Sequence, residues 1–153
     1  MGQTQLTLEQ LRATAGGRGW TNRPYTLVPG FRTDWWQRTL AGAPRDWFRF
    51  VDPHHEELVR VEVKPHSNAG YEGVAVPSDG FAEVTFFEVR DGHRGCGYGT
   101  EAIELLTDFY QGQRLAAFSE RADGFWDSVG WTPHLPRLGP DDYEGHYQVF
   151  YVS

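Results

Sequence analysis

Apolar and polar positions alternate most clearly at residues 57–63. There Val59, Val61 and Val63 share one face of an extended chain, and Leu58, Arg60, Glu62 and Lys64 form a mixed face. Residues 46–51 alternate in the same way, and residues 52–57 turn the chain between them, so the pair reads as a hairpin. Residues 81–90 are dense in β-branched and aromatic side chains and make a third strand. The period then changes. Ala102, Ile103, Leu105, Leu106, Phe109 and Tyr110 recur at helical spacing and predict a helix over about 98–111. Residues 114–119 form a short apolar strand, parallel to 81–90 because a helix separates the two.

The flanks carry weaker patterns. Thr7 with Gln10 suggests a capping box for a helix over 8–15, ended by Gly16 and Gly17. Residues 23–28 read as a short strand, and Pro29 with Gly30 as a turn. Phe31, Trp35, Trp36 and Leu40 fall on one stripe of an amphipathic helix over 31–40, broken by residues 41–44. Residues 66–80, with Gly70, Gly73, Pro77 and Gly80, form an irregular connection. A short helix spans 122–129, with Phe125, Trp126 and Val129 apolar and Gly130 at its end. Pro133, Pro136 and Pro140 interrupt the stretch beginning at Trp131, and 145–153 closes the chain as a strand. No repeat or linker divides the chain, so 1–153 is read as one domain.

The junction between the third strand and the long helix carries the candidate chemistry. Arg94, Gly95, Cys96, Gly97, Tyr98, Gly99 and Thr100 form a glycine loop that opens a helix. Unpaired amides and the helix dipole make such a place receptive to phosphate. The glycine spacing does not match a dinucleotide-binding G-x-G-x-x-G, and no lysine completes a P-loop. What is present is Arg94-x-x-Gly97-x-Gly99, five residues after Val89. This resembles the coenzyme A pyrophosphate loop of the GNAT N-acetyltransferase superfamily. The preceding Phe87, Glu88 and Val89 resemble the end of that family's fourth strand.

The resemblance covers roughly residues 46–153. It implies an α/β (α+β) fold of GNAT type: a mixed, mostly antiparallel sheet with a central parallel strand pair, flanked by helices. It implies acetyl-CoA as co-substrate, with no metal, and direct transfer of the acetyl group to a primary amine of a small molecule or protein. The amides from Arg94 to Thr100 would hold the pyrophosphate, and the backbone of Phe87, Glu88 and Val89 the pantetheine arm. A second stretch, from Ser119 through Ala122 and Trp126 to Gly130 and Trp131, is similar to the family's N-x-x-A-x-x-x-Y-x-x-x-G-F pattern. Ser119 stands where the family has a cofactor-contacting Asn. Trp126 stands where it often has a Tyr that protonates the leaving thiolate, and an indole is not an acid. Trp126 therefore lines the acyl site or simply packs in the core.

An attacking amine must lose its proton, so a general base is needed. Glu83 is the first candidate, because its strand resembles the one carrying the catalytic glutamate in the histone-acetylating branch. Glu88 is second because it interrupts an apolar strand centre. Glu120 ranks behind both. Each of the first two has a plain alternative, facing solvent or pairing with Arg90 or Arg94. A non-catalytic acyl-CoA-binding or regulatory module is the alternative to an enzyme.

Composition narrows the classes. The chain has 153 residues, 23% charged and 15% aromatic, enough for a packed core. A net charge of −7 argues against nucleic acid as partner. The first residues lack the basic and apolar regions of a signal peptide, and no apolar run reaches membrane-spanning length, so the expectation is a cytoplasmic protein without a membrane partner. A homodimer is compatible with the sequence. Cys96 is the only cysteine, and direct transfer does not need it. His54, His55, Glu56 and Glu57 read as a solvated turn rather than a metal site. Trp35, Trp36 and Trp47 are core residues or an aromatic wall for the acceptor. Asp34, His66, Tyr71, Asp141, Asp142 and Tyr143 remain unranked on the acceptor side.

Overall fold

A computed structural model describes residues 5–40, 44–136 and 148–153. Among these residues ten strands and two helices run in the order β1 (Thr7–Leu11), β2 (Thr14–Gly17), β3 (Trp20–Asn22), β4 (Arg38–Leu40), β5 (Asp46–Val51), β6 (Glu57–Ser67), β7 (Phe81–Val89), α1 (Tyr98–Phe109), β8 (Leu115–Phe118), α2 (Asp123–Ser128), β9 (Thr132–His134) and β10 (Phe150–Val152). Seven strands form one sheet in the order β1-β5-β6-β7-β8-β10-β9, and β2-β3-β4 form a second. In the larger sheet β1 with β5, β5 with β6, β8 with β10 and β10 with β9 pair antiparallel, while β7 with β8 is parallel. That is the mixed, mostly antiparallel α+β architecture expected, with its parallel pair.

The chain divides into two compact units. The first comprises residues up to Val63 together with Phe86–Phe109. Here Phe48 and Phe50 of β5 lie opposite Val61 and Val59 of β6, and all four are fully buried. The α1 side chains Ala102, Ile103 and Leu106 are buried, and Phe109 meets Phe48 edge-on with centroids 5.0 Å apart. The opposite face of the hairpin carries Arg60 and Glu62. Despite their charge, the two are 2% and 1% exposed. Each carries a built-in partner. Arg60 Nε donates to Glu57 at 2.8 Å, and Glu62 accepts from Arg23 at 2.5 Å and from the Trp47 indole at 2.8 Å. Burial of charge is tolerable only with such pairing.

Three expectations in this unit are overturned. Residues 8–15 are not a helix. β1 lies along β5 from Thr7 opposite Val51 to Leu11 opposite Trp47, and Glu9 pairs with its cross-strand neighbour Arg49 at 2.6 Å. A long-range ladder supplies the backbone partners that a short helix would have made internally. Residues 23–28 are not a strand. Residues 31–40 are not a helix either, but a turn-rich segment leading into β4. Arg23 accounts for this. Its guanidinium donates to the carbonyls of Trp35 and Arg38, both at 2.9 Å, and its amide donates to Gln37 O at 2.8 Å. The chain wraps a buried cation instead of satisfying itself through helical bonds.

The second unit comprises Lys64–Thr85 and the residues from Tyr110 onward. Ala82, Glu83 and Val84 register with Leu115, Ala116 and Ala117. Phe81, Ala116, Phe150 and Val152 form its core, covered by Tyr71, Val74 and Phe118. The connection expected from residue 66 begins two residues later, because β6 runs to Ser67. β9 was not anticipated. Pro133 sits in it opposite Tyr151, on the outermost strand, where a missing amide disrupts no ladder. Only Phe150–Val152 of the closing segment is strand among the described residues, and 145–147 lie outside them. No described helix is long and apolar enough to cross a membrane.

Candidate active site

The glycine loop belongs to the first unit. After Val89 the chain passes Gly92, Gly95 and Gly97, with φ of 84°, 75° and 86°, and enters α1 at Tyr98. These φ values belong to glycine, so the sharp turning of the loop depends on them. A Cβ built on Gly95 or Gly97 meets nothing within 4 Å, so the loop backbone borders open space. Among the described residues, no acceptor takes an amide from Arg94 through Thr100. The first α1-side amide engaged is Glu101, bonded to Gly97 O at 3.1 Å. Seven consecutive N–H groups at the start of a twelve-residue helix are thus available to an anion.

Arg94 reaches backward. Its Nε donates to Val89 O at 3.1 Å, and its terminal nitrogens lie 3.7 Å from Glu88 and 3.7 Å from Asp91. Its side chain is 58% exposed, so it also adds positive charge to the loop surface. Cys96 is exposed, and its thiol points back to Arg94 O at 3.7 Å.

Glu88 and Glu83 differ sharply. Glu88 is buried and committed. Both of its oxygens accept the Arg32 amide at 3.1 Å, and Oε1 accepts the Trp36 indole N–H at 2.8 Å. It ties the 31–36 segment to β7, a role that its apolar surroundings in the sequence did not reveal. Glu83, in the second unit, is half-buried, and the Ser67 hydroxyl donates to its Oε1 at 2.6 Å. Its other oxygen has no hydrogen-bond partner among the described residues. Of the two carboxylates, Glu83 keeps acceptor capacity.

Ser119 and Trp126 also lie in the second unit, and both are buried. The Ser119 hydroxyl accepts the Ala122 amide at 3.2 Å, just before α2. Trp126 stacks on Trp131 with centroids 4.6 Å apart and planes at 25°. Tyr151 stands beside α2, its hydroxyl 3.5 Å from Asp123 O. Burial, helped by a hydrogen bond to Asp127, pushes this phenol up to about 12. A tyrosine in a terminal apolar strand reads as core, and Tyr151 is buried.

The remaining candidates scatter. Glu120 is exposed, two residues beyond β8. Trp36 and Trp47 are buried, while Trp35 lies under the Arg32 guanidinium at 4.2 Å. Asp34 is exposed and pairs with Arg32, whose hydrogen bonds hold its carboxyl below the usual range. His66 meets Asp79 O at 3.0 Å, and Tyr71 donates to Gln148 O. Asp141, Asp142 and Tyr143 lie outside the described residues. His54 and His55 sit on an exposed turn, and no metal-binding group of His, Cys, Asp and Glu occurs among the described residues.

No family profile matches the sequence, and no curated protein does. Solved structures do. The protein named as histone acetyltransferase HPA2 and related acetyltransferase, from Corynebacterium glutamicum, matches with TM-score 0.52 and 15% identity over 73% of this chain and 65% of that one. An acetyltransferase of the GNAT family from Staphylococcus aureus matches with TM-score 0.50 and 11% identity over 72% and 67%. The chain has the GNAT fold. It spans about two thirds of each of these two proteins. β7, the glycine loop and α1 fall on the strand, loop and helix picked out in the sequence. The Bacillus subtilis N-acetyltransferase YlbP, solved with coenzyme A, matches with TM-score 0.48 and 14% identity over 70% and 66%.

Proposed function

We propose that this chain is an acetyl-CoA-dependent N-acetyltransferase that moves the acetyl group directly to a primary amine. The observation that carries the reading is the run of unengaged amides from Arg94 to Thr100 at the start of α1. They suit the pyrophosphate of coenzyme A. Gly95 and Gly97 leave the backbone bare where a phosphate must approach, and Arg94 supplies an exposed counter-charge. The cofactor supplies an activated thioester. Phe87, Glu88 and Val89 offer strand backbone to its arm, and the family resemblance adds Ser119 and Trp126 as contacts.

Glu83 takes the proton of the attacking amine at its free carboxylate oxygen, while the Ser67 hydroxyl fixes the other oxygen. Trp126 cannot donate a proton to sulfur. Tyr151 is a phenol beside α2 in the same unit and is our candidate acid.

A second reading is a non-catalytic acyl-CoA-binding or regulatory module. It is favoured by the aromatic stack of Trp126 on Trp131 and by the Ser119 hydroxyl being spent on Ala122. Titration with acetyl-CoA, beside thiol release with a panel of amines, separates the two. Binding with amine-dependent release supports the enzyme, and binding without release supports the module. Gly97→Glu places bulk and negative charge in the amide nest at a φ of 86° and is expected to abolish acetyl-CoA binding. Unchanged affinity in that variant would remove the loop as cofactor site.

A further inference from the structure

The first unit holds a cavity of about 720 Å³, within the roughly 300–1,000 Å³ of small-molecule sites. Residues of the 22–37 segment wall it, with Arg60 of β6. Its charged lining residues are Arg23, Arg32 and Arg60, with no carboxylate among them. Each pairs with a carboxylate that does not line the cavity: Arg23 with Glu62, Arg32 with Asp34 and Arg60 with Glu57.

The three arginines are not equivalent. Arg23 is spent on Glu62 and on two carbonyls. Arg32 pairs with Asp34 and stacks on Trp35. Arg60 is 2% exposed, with Nε and Nη2 bound by Glu57 and Nη2 also by Thr26 O. Its Nη1 has no acceptor among the described residues. Among the described residues the one sealed side-chain polar atom without a hydrogen-bond partner is Arg45 Nε, so Arg60 Nη1 is not fully sealed, and the cavity is the space Arg60 lines. Phe31 lies 4.2 Å and Tyr25 5.0 Å from the guanidinium carbon, which holds the group rigid. Leu27, another lining residue, is 83% exposed. The site thus offers a preorganised N–H pair, aromatic walls and an apolar rim.

The cavity wall is tied to the cofactor strand and loop. Glu88 holds the Arg32 amide and Trp36, the Arg90 guanidinium donates to Pro29 O at 2.8 Å, and the Asp91 amide donates to Gly30 O at 2.9 Å.

We propose that this cavity takes an acceptor amine that also carries a carboxylate on an aromatic or apolar body, with Arg60 Nη1 binding the carboxylate. The word acceptor rests on the N-acetyltransferase reading, while the anion site does not.

The test uses the unmodified chain. Quenching of tryptophan fluorescence is followed with 3-phenylpropionate and with 3-phenylpropylamine, beside a separate acetyl-CoA titration. The carboxylate is expected to bind at least about tenfold more tightly than the amine, about 1.4 kcal/mol. Arg60→Lys, which keeps charge but loses the fork, is expected to erase that preference. Equal binding, or tighter binding of the amine, overturns the anion site whatever acetyl-CoA does. Turnover then compares phenylalanine with phenethylamine. A kcat/KM at least about tenfold higher for phenylalanine supports the acceptor assignment, and parity or reversal overturns it. Carboxylate binding without acetyl-CoA binding would leave the anion site standing and sink the enzyme reading.

Discussion

Glu88 is a strut by our account, and Glu88→Gln tests this quantitatively. The carboxylate is 6% exposed and accepts two N–H donors, the Arg32 amide and the Trp36 indole. A hydrogen bond to a charged group is worth about 1.5–3 kcal/mol net. Glutamine retains one acceptor oxygen but turns an NH2 toward the other donor, so about 3 kcal/mol is lost. Arg94 adds little to this figure, since its end is 58% exposed and 3.7 Å away. Unfolding entropy for 153 residues is about 0.32 kcal/mol/K, so the variant should melt about 9 °C lower. The assay is thermal unfolding monitored by circular dichroism, paired with amine-dependent thiol release at 15 °C. A strut predicts a large fall in Tm and a shallow, pH-independent fall in rate. A melting point within about 2 °C of the parent, with turnover abolished, would refute the reasoning and make Glu88 the base.

Three further outcomes are expected. Glu83→Gln should lower turnover most at low pH, where the amine most needs a base, and less at high pH, where solvent deprotonates it; a flat ratio across pH removes Glu83 as base. Burial raises the Tyr25 phenol above its ordinary value of 10, so its contribution is complete below pH 10 and is lost as pH rises toward the folded-state value. Tyr25→Phe should therefore flatten the alkaline fall in stability, and an unchanged slope of ΔG against pH above 10 counts against this. Gly80→Ala should cost about 3 kcal/mol in urea unfolding, because φ is +75° and the new Cβ would lie 2.8 Å from Ser67 O; a loss under about 0.5 kcal/mol would contradict the geometry.

Local chemistry made the centre of the protein legible in the sequence alone. The hairpin of β5 and β6, the strand β7, the glycine loop, α1 and the parallel partner β8 all follow from period, composition and turn residues. These signals act over a few residues, so one chain segment contains its own cause. The loop amides were readable for the same reason, since a helix start leaves donors unspent whatever surrounds it.

Tertiary structure decided the rest. Residues 8–15 hold two leucines at helical spacing, but the ladder with β5 some forty residues away determines their backbone. Residues 31–40 show a helical aromatic stripe, yet Arg23 takes their carbonyls and Glu88 takes the Trp36 indole. Arg60 and Glu62 read only as part of a mixed face, because alternation reports only that two faces differ. It cannot report that a distant segment will cover the polar one and bring partners for its charges. The surroundings of Glu83 and Glu88 differ for the same reason. Each is one carboxylate on one strand, and what separates them is the donor that distant chain places against each: one serine hydroxyl for Glu83, an amide and an indole for Glu88.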